Sequence, residues 1–127
     1  MSVETELYTL LTSESDITDL VGTAIYPYVI PQDVSLPAIV YQQIAGVPGY
    51  TADGQDNLTP YELQVTCWDN SYSDVRELAT ETKAVLSAYV GDNIDVIYIT
   101  GEGDIPSLEG DRTRFGKRID IRIWFKE

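Results

Sequence analysis

The side chains that most often carry out chemistry are scarce in this sequence. It contains no histidine and a single cysteine, Cys67. Histidine is the commonest general base and the usual activator of a nucleophilic Ser or Cys, so its absence removes most hydrolase designs. It also leaves nothing to complete a Cys/His zinc site. Tyr61, Leu63, Val65 and Cys67 alternate with Glu62, Gln64, Thr66 and Trp68, which places Cys67 on the inward face of a strand as a small core hydrophobe. A nucleophilic thiol needs exposure and a depressed pKa instead. Asp53-Gly54-Gln55-Asp56-Asn57 is oxygen-rich, but it lacks the alternating ligands and closing Glu of an EF-hand loop, and reads as a solvated hairpin tip. Gly101-Glu102-Gly103 follows an apolar run, yet Pro106 stands where the third glycine of a dinucleotide fingerprint belongs. It reads as a turn. Asp92 with Asp95, and Glu109 with Asp111, could be acid/base couples, but in a chain with 21 acidic residues they read as solvated loop charges. The sequence therefore predicts no enzyme, no cofactor and no metal.

Two features call for something outside the chain. Trp68 and Trp124 fall on the polar faces of their strands, where an aromatic is covered either by a helix or by another molecule. The last segment alternates Ile119, Ile121, Ile123 and Phe125 with Arg118, Asp120, Arg122, Trp124 and Lys126. Its charges either guard an exposed sheet edge or form half of a head-to-tail interface between subunits.

These residues need a scaffold, and the rest of the chain supplies its signals. Ser2 caps a first helix with Val3, Leu7, Leu10 and Leu11 at helical spacing, ending near Ser13. Ser15 to Val21 is a second, short helical turn stopped by Gly22. A short strand from Ala24 to Val29, interrupted by Pro27, precedes a loop bracketed by Pro31 and Pro37. Ala38 to Ile44 is a strand, Ala45 to Thr59 a mobile Gly/Asp/Pro-rich loop, and Tyr61 onward the returning strand of a long hairpin. Ser71 with Asp74 resembles a capping box opening the main helix, whose stripe is Val75, Leu78, Ala79, Thr82, Val85, Leu86 and Tyr89. Val96 to Ile99 is a strand and Gly101 to Asp111 a loop. The expectation is one α+β domain over residues 1–127: a mostly antiparallel sheet of four to five strands, two main helices on one face, and a long hairpin loop.

With 127 residues and 43% hydrophobic content the chain can bury a core without staples. A lone cysteine fits a reducing compartment, and no signal peptide or membrane-spanning run is present, so no membrane association is expected. The net charge of −13 opposes direct binding to a phosphate backbone. Its distribution is uneven. Residues 1–75 carry 11 acids and no base, net −11, whereas residues 76–127 carry 10 acids and 8 bases, net −2, with six of those bases between Arg112 and Lys126.

Taken in order, Leu7-Tyr8-Thr9-Leu10-Leu11, Leu20-Val21-Gly22 and Ile25-Tyr26-Pro27, then Leu36-Pro37-Ala38-Ile39-Val40-Tyr41 with Gly46 and Tyr50, resemble the tail-completion or tail-terminator proteins of long-tailed bacteriophages and prophages. Leu63-Gln64-Val65-Thr66-Cys67-Trp68-Asp69 and Arg118-Ile119-Asp120-Ile121-Arg122-Ile123-Trp124 are similar to that family's middle and final strands. The resemblance implies a non-enzymatic virion protein, made in the host cytoplasm, that forms a homo-oligomeric ring, typically a hexamer. The ring caps the head-proximal end of the tail tube and meets the tube protein on one side and a head-completion or connector protein on the other. DNA passes through without specific binding, and no cofactor is involved. Tyr50, Asp53, Asp56, Trp68, Arg118, Arg122 and Trp124 are the candidate assembly residues. Two other readings fit the same composition: another ring-forming connector or minor tail component, and an acidic DNA mimic that inhibits a DNA-binding enzyme.

Overall fold

The computed structural model describes residues 2–31, 35–46, 58–109 and 112–126. Ser2 is extended and its Oγ accepts the Thr5 amide at 3.1 Å, which starts α1 (Val3–Ser13). Val3, Leu7, Leu10 and Leu11 bury one side of that helix. The following α2 (Ser15–Val21) stops at Gly22, whose φ of +62° suits a residue without Cβ and whose amide donates to the Thr18 carbonyl at 2.8 Å. After β1 (Ile25–Pro27), β2 (Ala38–Gly46) and β3 (Leu58–Asp69), Ser71 caps α3 (Tyr72–Ala88) by accepting the Asp74 amide at 3.2 Å. Two long strands close the chain, β4 (Ile94–Glu109) and β5 (Arg112–Lys126).

The five strands form one sheet in the order β1-β2-β3-β5-β4. Every neighbouring pair is antiparallel except β1 with β2, where Ile25 to Pro27 run parallel to Ile39 to Tyr41. All three helices pack on one face. Leu63, Val65 and Cys67 of β3 and Ile119, Ile121, Ile123 and Phe125 of β5 meet Leu7, Leu11, Leu78 and Leu86 there in a single core. The period-two alternation of the last strand is thus the alternation between this core and the opposite, helix-free face.

Four expectations change. The predicted strand from Ala24 to Val29 is ordered as a strand only to Pro27, and the predicted loop 45–59 is shorter at both ends, because Ala45 and Gly46 extend β2 and Leu58 and Thr59 open β3. Residues 47–57, the rest of that loop, lie outside the described residues. The predicted loop from Gly101 to Asp111 is not a loop: β4 runs through Gly101, Gly103 and Pro106 to Glu109, paired with β5 down to Arg112. Pro106 is tolerated because β4 is an edge strand, where a residue lacking N–H need not break a ladder on both sides. Finally, β5 lies between β3 and β4, so its charged residues do not guard an edge.

Candidate assembly surface

Among the described residues, no group of three or more His, Cys, Asp or Glu side chains is placed to hold a metal ion. Cys67 is fully buried, its Sγ donates to Thr82 Oγ1 at 3.7 Å, and burial pushes its thiol up to about 12, the Thr82 bond acting weakly the other way. It is core packing. Asp92 and Asp95 are both exposed, Asp92 in the bend before β4 and Asp95 in its second position. Asp111 lies outside the described residues, as do Tyr50, Asp53 and Asp56.

One carboxylate does sit in the core. Glu6 of α1 is 4% exposed; its Oε2 accepts from Tyr89 Oη at 2.9 Å and from the Ile94 amide at 3.4 Å, while Oε1 has no partner among the described residues. Burial, and then the bond to Glu6, push the Tyr89 phenol up to about 12, so the pair holds the end of α3 and the start of β4 against α1 with Tyr89 as donor.

On the helix side, the distal hairpin is fastened to α3 by charge. Tyr72 Oη donates to Asp104 Oδ2 at 3.1 Å and Lys117 Nζ to Asp104 Oδ1 at 3.0 Å. Arg76 Cζ and Lys117 Nζ lie 5.8 and 6.0 Å from the Tyr72 ring centre, and Lys83 Nζ meets Glu102 Oε2 at 2.8 Å. Lys117 lowers the Asp104 carboxyl and Lys83 lowers that of Glu102.

The helix-free face carries the sequence-predicted residues. The register sets Thr66 beside Arg118, Gln64 beside Asp120, Glu62 beside Arg122 and Pro60 beside Trp124, so Trp68, Arg118, Arg122 and Trp124 share one surface. Among the described residues no helix covers either tryptophan, since α1, α2 and α3 lie on the opposite face. Gln42 Nε2 donates to Gln64 Oε1 and Gln64 Nε2 to Asp120 Oδ1, both at 3.1 Å, and Arg118 Nε reaches Asp120 at 3.2 Å. This relay ties three strands. Arg122 Nη2 meets Glu62 Oε1 at 2.6 Å. Both arginines are therefore engaged within the subunit, in exposed pairs that are individually weak.

Glycines keep this face flat. A Cβ on Gly116 would stand 2.8 Å from Trp68 Cζ3, one on Gly103 3.0 Å from an Arg118 terminal nitrogen, and one on Gly101 3.2 Å from Asp120 Oδ2. The neighbouring side chain lies down over each glycine in turn. Toward the β1 side the face opens into a groove of about 350 Å³, lined by Tyr28, Val29, Val40, Trp68 and Ile105 together with Arg114. Tyr28 holds a φ of +68°, a backbone conformation uncommon for an aromatic residue, and is 63% exposed; Val29 is 70% exposed. Residues 28–30 were not singled out from the sequence. The available signal was a run of large apolar side chains just after Pro27 with no periodicity to place them in the core.

A family model described as tail completion protein gp17 matches residues 5–125. The chain belongs to that family. It is a structural protein of phage tails, and the sequence resemblance to tail-completion proteins holds over nearly the whole chain. Among solved structures, a protein of the virion of a native gene transfer agent particle is similar, with a TM-score of 0.72 at 11% identity, over 99% of this chain and 96% of that one. At that identity the likeness speaks for the fold. No curated protein matches the sequence. Among the described residues, no helix is long and apolar enough to cross a membrane.

Proposed function

We propose that this tail-completion family member caps the head-proximal end of a phage tail tube as a ring, six copies around, ending tube growth and presenting the surface that joins the filled head. The family match over residues 5–125 carries this reading. The charge of the chain supports it: a ring through which DNA passes benefits from an acidic lumen, since acidic walls repel phosphates and keep the strand from adhering. Residues 1–75, with 11 acids and no base, are the source of such a wall.

In this reading the tube protein binds one side of the ring and a head-completion protein the other. Trp68, Arg118, Arg122 and Trp124 contact a neighbouring subunit, and Tyr50, Asp53 and Asp56 are further assembly residues. Electron microscopy of the purified protein with isolated tail tubes tests it. Rings seated at one end of each tube are the expected result; tubes that elongate equally with and without the protein, and end bare, would refute it.

A further inference from the structure

We draw no further inference here: the strongest candidate, the groove of about 320 Å³ lined by Glu14 and Asp16 at the start of α2 and by Ala84, Ala88 and Val90 at the end of α3, joins an acidic rim to apolar walls, and nothing in the structure shows what covers it.

Discussion

Replacing Gly116 by alanine tests the geometry of the helix-free face through a single methyl group. The added Cβ would stand 2.8 Å from Trp68 Cζ3, 3.0 Å from Cη2 and 3.1 Å from the backbone oxygen of Ile105. Carbon atoms in contact prefer about 3.5–4.0 Å, so the indole must retreat by more than half an ångström, while the β4 carbonyl, held in a ladder, yields less. Overpacking of this kind costs about 1–3 kcal/mol, and relieving glycine's excess unfolded-state freedom returns about 0.5–1 kcal/mol. The expected net loss is about 1 kcal/mol, a fall in melting temperature of about 3–5 °C for a domain of this size. Gly101→Ala is the matched control. There the added carbon meets Asp120, with Oδ2 nearest at 3.2 Å, and the side chain need give by only a few tenths of an ångström within its bonds to Gln64 and Arg118, so the loss should be smaller than for Gly116→Ala. Urea unfolding followed by far-ultraviolet circular dichroism gives both numbers, and tryptophan emission reports on Trp68. If Gly116→Ala were as stable as the parent with unchanged emission, Trp68 would not lie on that glycine, and the flat face would lose its basis.

Other parts of the fold give readier checks. Ser71→Ala removes the cap on α3 and should cost about 1 kcal/mol in urea unfolding. Tyr89→Phe takes from the buried Glu6 carboxylate its better donor and should cost about 1–3 kcal/mol by the same measurement. Cys67 should react with maleimide only as fast as the domain unfolds, so its labelling rate in native buffer should rise with added urea; fast labelling without urea would contradict its burial. Glu102 has a folded pKa below its ordinary 4.5, so the stability it contributes is present above that value and lost as pH falls through the depressed one. Lys83→Met should flatten that part of the acid limb of a stability–pH profile, and an unaltered profile would show the Lys83–Glu102 pair to be open in solution.

The helices were readable because their signals are local. Ser2, Gly22 and Ser71 act on the amides and carbonyls of their own turn, and the caps lie where the sequence placed them. The hairpin of β4 and β5 was readable only in its first half. Gly101, Gly103 and Pro106 look like loop residues by composition, but their roles are set from the neighbouring strand: two glycines make room for Asp120 and Arg118, and the proline is permitted by an edge. Such information sits about 15 residues away in sequence and no local window holds it. The alternation of the last strand correctly put Arg118, Arg122 and Trp124 on one face. It could not say that the strand would be internal, because strand order depends on how all five strands are shared. The groove escaped for a similar reason, since Tyr28 and Val29 meet Trp68 and Ile105 only through the sheet.

Charge is uneven along the chain, with 11 acids and no base in residues 1–75 and six of its eight bases between Arg112 and Lys126, and a molecule so divided would carry an electric dipole. In the field of another charged molecule, a dipole feels torque before it feels contact, over distances of about 8–10 Å at ordinary ionic strength. Subunits would then arrive already turned, and wrongly turned encounters would separate before their apolar surfaces engaged. The speed of such assembly, more than the strength of the finished contact, is what added salt would remove.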